Sequence, residues 1–238
     1  MYHRRMHPMS PPTPTAEAEA IATNIATIRA TINQAAGEAR QVRLVAVSKQ
    51  QPDARVDAAL AIGHHTFGEN RVAEAETRWL PRRPRYPDLE LRLIGHLQSN
   101  KTAAAVALFD AIETIDRDKI AQALSREMTR QNRPLPCMVE VNTGGEAQKF
   151  GVRPQDAVDF VKHCRSHHGL NITGLMCIPP VNEEAAMHFA LLAKLAGEAE
   201  VAELSMGMSG DYLEAVKFGA TSVRIGSAVF GTRPPINT

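Results

Sequence analysis

Eight times between Arg43 and Gly231, a short run of apolar and β-branched residues gives way to a stretch with helical periodicity. The strand-like runs lie in RLVAVSK, HHTFGEN, LELRLIGH, DAIETI, LPCMVEVNT, LNITGLMCIPP, ELSMGMS and ATSVRIGSAVFG. Between them stand helical segments such as PDARVDAALAIG, DRDKIAQALSREMTRQ and NEEAAMHFALLAKLAGEA, while the proline-rich WLPRRPRYPD is expected to be a surface loop. Strict alternation of strand and helix forces parallel strands, because each helix carries the chain back to the end where the last strand began. Eight such units in 238 residues predict an α/β fold, a single (β/α)8 TIM-type barrel. An open doubly wound sheet would not need eight units, and no G-x-G-x-x-G turn marks a nucleotide crevice.

Ahead of the first unit, Ile21, Ile25, Ile28 and Ile32 fall at spacings of one helical face and predict an extra N-terminal helix. Residues 1–14, basic and rich in proline but without an apolar core segment, are expected to form a disordered leader, and residues 15–238 the barrel. A formal charge of +1 gives no reason to expect nucleic acid or an anionic membrane as partner. No apolar run is long enough to span a bilayer. Cys137, Cys164 and Cys177 are widely spaced and odd in number, which suggests no disulfide framework and favours a reducing, cytoplasmic setting. His163 and His167, four apart in HCRSHH, could form a metal pair, but no carboxylate or third ligand stands nearby in the chain. A solvated helix end is the expected reading there, and no metal site is predicted.

In a barrel of this kind the chemistry sits at the C-terminal ends of the strands. The candidates are Ser48-Lys49, Glu69-Asn70, Gly95-His96, Asp116, Asn142-Thr143, Ile178-Pro179, Met208-Ser209 and Gly226-Ser227. The loops after strands 7 and 8 are small and polar, so Ser209, Gly210, Gly226 and Ser227 predict a phosphate cradle, with helix capping as the alternative. Arg224 alternates with Val223 and Ile225, which turns it toward the barrel mouth. A guanidinium there needs an acceptor, either a ligand or an internal carboxylate such as Glu69 or Glu140. Lys49, at the end of a buried strand, would complete a site for a phosphorylated aldehyde or ketone, placed across the barrel from the cradle. An amine among cations and apolar walls is kept more readily in its neutral, nucleophilic form.

The motifs LVAVSK, FGEN, IGHLQSNK, EVNTGGEAQKFG, GLMCIP, LSMGMSGD and VRIGSAVFG together resemble the pyridoxal-phosphate homeostasis protein family, from about Ile21 to Gly231. Its members are single barrels similar to the N-terminal domain of alanine racemase. The resemblance implies that pyridoxal 5′-phosphate is the cofactor and that Lys49 forms the Schiff base. Ser209, Gly226 and Ser227 would hold the phosphate, Arg224 would face the pyridine nitrogen, and Asn70 would lie along the cofactor face. Met208, Lys149 and His96 are secondary candidates. Departures from the family pattern are Arg71 where tyrosine is common, Leu91-Arg92 where Trp-His pairs are frequent, and Ser227 where threonine is usual.

Two functions follow from such a site. The first is a cofactor-binding protein that buffers pyridoxal phosphate and delivers it to apo-enzymes, without strong turnover. The alternative is a pyridoxal-phosphate-dependent enzyme such as an amino-acid racemase. A racemase needs a second base, and the chain, ending in GTRPPINT with three tyrosines, is expected to lack the additional domain that supplies one. An aldolase-type barrel would share lysine and cradle but lacks a convincing acid/base carboxylate beside Lys49. The expectation is therefore a monomeric binding protein.

Overall fold

The computed structural model describes residues 15–37 and 40–232; the leader expected over 1–14 lies outside them. The eight strands are β1 (Arg43–Val47), β2 (Thr66–Glu69), β3 (Glu90–Leu93), β4 (Ala111–Ile115), β5 (Pro136–Glu140), β6 (Asn171–Met176), β7 (Glu203–Ser205) and β8 (Ser222–Ile225). They pair in sequence order, all parallel, and β8 returns to β1 to close the barrel. The helices that follow them in turn are α2 (Asp53–Ala61), α3 (Val72–Trp79), α4 (Thr102–Leu108), α5 (Asp118–Gln131), α6 (Pro154–Ser166), α7 (Ala185–Glu198), α8 (Tyr212–Lys217) and α9 (Ser227–Phe230). Each expected strand and helix is present; β4 ends at Ile115 as DAIETI predicts, and the other strands stop one to several residues before the ends assumed from sequence.

The extra helix α1 (Ala16–Ala36) begins at Thr15, whose Oγ1 accepts from the Ala18 N–H at 3.2 Å. Its buried face is Ile21, Ile25, Ile28 and Ile32, and it packs on α2, α8 and α9. Each buried isoleucine contributes roughly 1.5–3 kcal/mol, enough to fix α1 against the wall. WLPRRPRYPD is less loop-like than expected. Trp79 is the fully buried last residue of α3, and Arg83–Arg85 form a 3-10 turn.

Strand alternation sorts the barrel into two layers. Leu44, Ala46, Leu91, Leu93, Cys137, Val139, Val223 and Ile225 join the apolar layer under the helices. The opposite side chains fill the interior, and several of them are polar: Arg92, Glu113, Ser205 and Arg224 are all buried. Arg92 donates to Glu113 and, at 2.5 Å, to Glu90. Burial opposes the Arg92 charge, but Glu113 and then Glu90 more than offset that cost and raise the guanidinium above its ordinary value.

The three cysteines are buried and unpaired, and desolvation pushes each thiol up to about 12. Among the described residues no helix is long and apolar enough to cross a membrane. Helix packing also changes the surroundings of HCRSHH. The carboxylate that packing brings to it is Asp118, at the start of α5, which comes within 2.7 Å of His163 and of His168.

Candidate functional site

Lys49 does not end the strand as expected; β1 stops at Val47, and Lys49 sits in the turn that follows Ser48. That turn is tightly held. The Ser48 N–H donates to the Gly68 carbonyl at 3.1 Å, the Ser48 hydroxyl donates to Glu69 Oε1 at 2.7 Å, and the Gln51 N–H donates back to the Ser48 carbonyl at 3.1 Å. Gln50 takes a left-handed φ of 57°, a conformation that costs a non-glycine residue roughly 1 kcal/mol or more. Arg78, from α3, offsets it. Its guanidinium donates to the carbonyls of Ser48 at 2.5 Å and Gln51 at 2.7 Å, clamping the chain on both sides of Lys49. The same Arg78 pairs with Glu69 at 3.1 Å, and Trp79 Nε1 donates to that carboxylate at 3.1 Å. Glu69 therefore faces α3, away from the barrel mouth.

Arg224 points into the mouth, as alternation requires. It makes neither of the ion pairs considered for it. Its Nη1 donates to Ser205 Oγ at 2.7 Å and its Nη2 to the Cys177 carbonyl at 2.8 Å. Ser205 in turn donates to Glu113 Oε2 at 2.5 Å, linking Arg224 to the buried Arg92–Glu113 pair. Glu140 stays inside the barrel with Oε2 lacking a hydrogen-bond partner among the described residues. Desolvation, and then the nearby Asp116 charge, push its carboxyl up to about 7 despite the opposing pull of Arg224.

A cavity of about 510 Å³ opens at this end of the barrel, within the range of small-ligand sites. Lys49, Asn70, Met208, Ser209, Arg224, Gly226 and Ser227 all line it, joined by Gly210. Val47, Ile94, Ile178 and Thr232 complete the wall; the first three are apolar residues at or just past strand ends, and nothing in the sequence singles out Thr232. Because β1 pairs with β8, with Val45 opposite Arg224 and Ala46 opposite Ile225, Lys49 is a neighbour of the cradle rather than across the barrel from it. The Ala228 N–H reaches Ser209 Oγ at 3.4 Å, which brings the loops after β7 and β8 together.

Two glycines shape the rim. A Cβ on Gly95 would lie 2.3 Å from the Asn70 carbonyl oxygen, so only glycine lets the segment after β3 run this close to Asn70. Gly207, at φ 92°, would drive a Cβ to 2.6 Å from that of Ala215, and its carbonyl accepts from the Arg224 N–H at 2.9 Å. Asn70 carries a buried Oδ1 with no hydrogen-bond partner among the described residues, a group that a ligand donor would satisfy. Amine, guanidinium, hydroxyls and glycine backbone in one cavity suit a small anion that also carries a carbonyl group.

His96 and Lys149 are not on the cavity wall. His96 stacks on Phe150 at 3.5 Å between ring centroids and faces Asp116 at 3.3 Å. Desolvation lowers its affinity for a proton, with Asp116 opposing that and Arg117 reinforcing it. Lys149 pairs with Glu146 at 2.5 Å in the turn after β5. Arg78, which holds the Lys49 turn, was not singled out from sequence, and Glu69 was considered only as a strand-end residue and a partner for Arg224; an Arg-Trp pair in a helix gives no sign of reaching a loop 30 residues earlier.

A closed eight-stranded barrel with a lysine after β1 and a small-residue cradle after β7 and β8 belongs with the barrel of alanine racemase. The family model for the alanine racemase N-terminal domain matches residues 17–234. More narrowly, the chain belongs to the pyridoxal phosphate homeostasis protein family. It is 42% identical over 224 residues to the pyridoxal phosphate homeostasis protein of Pseudomonas aeruginosa, covering 90% of this chain and 96% of that one. The human protein of the same name is 38% identical over 215 residues, covering 81% and 77%. Among solved structures, PipY of Synechococcus elongatus PCC7942 with pyridoxal phosphate bound superposes with a TM-score of 0.77 at 34% identity, covering 89% of this chain and all of that one.

Proposed function

We propose that this chain binds pyridoxal 5′-phosphate at the barrel mouth and holds it reversibly, buffering the cofactor and delivering it to apo-enzymes in vitamin B6 and amino-acid homeostasis. One observation carries the reading: Lys49, Arg224 and the small-residue loops after β7 and β8 line the same cavity. The bound cofactor supplies an aldehyde that condenses reversibly with a primary amine. Lys49 is that amine, held in register by Arg78. Ser209, Gly226 and Ser227 receive the phosphate through hydroxyl and backbone N–H donors. Asn70 and Met208 form the walls beside the ring, while His96 and Lys149 serve the rim from outside the cavity.

Arg224 governs what the site does with the cofactor. A guanidinium does not give up its proton at working pH, so a ring nitrogen facing it stays unprotonated and the ring is a weak electron sink. That favours storage over carbanion chemistry. The three buried thiols accord with a reducing, cytoplasmic environment, and the working unit is proposed to be a monomer, without a nucleic-acid or membrane partner.

The test is to add pyridoxal phosphate to the purified chain, record its visible absorption, reduce with borohydride and map the modified peptide. The expected result is one equivalent fixed on Lys49, with Lys49→Ala giving none. Failure to bind, or fixation on another lysine, overturns the reading. Robust racemisation of any member of an amino-acid panel would replace storage with catalysis. Light scattering in solution checks the monomer, and reactivation of an apo-enzyme by the loaded chain checks delivery.

A further inference from the structure

A second cluster of coordinating side chains lies where α5 meets α6, and none of its residues lines the cofactor cavity. Asp118 opens α5, His163 stands in the last turn of α6, and His168 follows that helix. Asp118 Oδ1 accepts from the Nε2 atoms of His163 and His168, each at 2.7 Å. The three prospective ligand atoms lie within 4.8 Å of one another. His167 adds a third ring, stacked on His163 and edge-on to His168, with both pairs of ring centroids 4.9 Å apart. The placement has a local cause. His163 and His167 are one helical turn apart, and the backbone of His168 is pinned where the Ser125 hydroxyl donates to its carbonyl at 2.6 Å.

We propose that Asp118, His163 and His168 form a binding site for a divalent transition-metal ion of the zinc class. Such an ion takes imidazole nitrogen and carboxylate oxygen at about 2.0–2.2 Å, with water or a fourth side chain completing a tetrahedron. His167 is placed to be that fourth side chain. Ligand atoms around such an ion are separated by roughly 3.4 Å. The two short contacts must open and the widest pair must close by no more than about 1.4 Å, within reach of side-chain rotamer changes. Asp118 and His163 can make that adjustment because their side chains are 61% and 44% exposed, whereas His168, at 6%, supplies the fixed point. To bind the ion each ring presents the Nε2 lone pair, now turned to Asp118, and carries its N–H on Nδ1. Magnesium and calcium are disfavoured because they select oxygen ligands. The bound ion would join α5 to α6 on the outer wall of the barrel.

The test uses the full-length chain without an affinity tag, stripped of metal by a chelator. Zn2+ is titrated against a chromophoric competitor, and Co2+ is titrated while its ligand-field absorption is recorded. The expected result is one ion per chain, with a dissociation constant of about 10 μM or below, and a tetrahedral Co2+ spectrum. His163→Gln and Asp118→Asn each change an exposed side chain, and each should weaken binding at least about tenfold while leaving the circular dichroism of the metal-free chain unchanged. His168→Gln should do the same. Absence of stoichiometric binding at about 100 μM Zn2+, or undiminished binding by the His163→Gln/His168→Gln double variant, overturns the proposal. Cofactor binding is read separately in the same samples and is expected to be unaffected.

Discussion

Arg78→Met is the sharpest probe of how the fold places Lys49. Methionine keeps much of the apolar stem but removes every guanidinium donor. Glu69, 1% exposed, would keep only the Ser48 hydroxyl and the Trp79 indole N–H as partners, the Gln51 carbonyl would lose its guanidinium donor, and the Ser48 carbonyl would keep only the Gln51 N–H. Removing one partner of a buried ion pair costs about 3–5 kcal/mol. Arg78 retains 16% exposure, so the lower half of that range applies. For a chain of this size, 3–4 kcal/mol corresponds to a fall in Tm of roughly 6–16 °C. The second variant, Glu69→Gln/Arg78→Met, removes the stranded charge and should recover about half of that loss. It does not restore the clamp, so affinity for pyridoxal phosphate should remain weakened about tenfold or more in both variants. Thermal unfolding by circular dichroism reads the first quantity, and titration of the visible band reads the second. A Tm within 2 °C of the parent for Arg78→Met, or full recovery of cofactor affinity in the double variant, would refute the clamp.

Three further outcomes can be measured with the same two assays. Glu113→Gln should destabilise the chain by about 3 kcal/mol by depriving buried Arg92 of its nearest carboxylate, whereas Arg92→Met/Glu113→Leu should lie within about 1 kcal/mol of the parent; equal losses in both would remove the ion pair as the cause. Gly95→Ala should cost about 1–3 kcal/mol and weaken cofactor binding, because its Cβ meets the Asn70 backbone at 2.3 Å; an unchanged Tm contradicts the close approach. Glu140, raised from 4.5 to about 7, holds its proton more tightly when folded, so its contribution is full below about pH 4.5 and is lost as pH rises through 7. Glu140→Gln cannot ionise and should gain on the parent by up to ~3 kcal/mol between pH 5 and pH 8; a difference independent of pH would show that this carboxyl is not the titrating group.

The architecture was legible because its signals are local. Eight changes of period, from strand runs such as RLVAV to amphipathic segments such as that of α5, mark parallel βα units regardless of how they pack. The cavity residues were legible for a related reason: strand-end position and alternation already aim Lys49, Ser209 and Arg224 at one end of a barrel. Contacts between distant segments were not legible. Ser205 and Glu113 are 92 residues apart, and Asp118 and His168 are 50 apart. Closure itself was missed in one respect, since only pairing of β1 with β8 makes Lys49 a neighbour of the cradle. Lys149 and His96 sit in motifs that look functional, but their partners, Glu146 and Phe150, hold them on the rim.

Arg92 shows how a departure from a family pattern can be part of the site without touching the ligand. From Glu90 at the start of β3, charge passes to Arg92, to Glu113 on β4, to Ser205 on β7 and to Arg224 at the mouth. The polarity of this chain is fixed by its hydroxyl. Ser205 has one proton and gives it to Glu113, so toward Arg224 it can only accept. Arg224 therefore spends one donor on Ser205 and one on the Cys177 carbonyl, and its planar fork is oriented before any ligand arrives. Of five guanidinium N–H groups, roughly three remain for the cavity. A neutral residue at 92 would leave Glu113 buried beside a single hydroxyl without its counter-charge, an arrangement that is costly to keep. Any rearrangement of Glu113 would release the Ser205 hydroxyl, and with it the defined acceptor of Arg224. In this barrel the interior charge layer, which is costly to bury, is what makes the orientation of Arg224 unique.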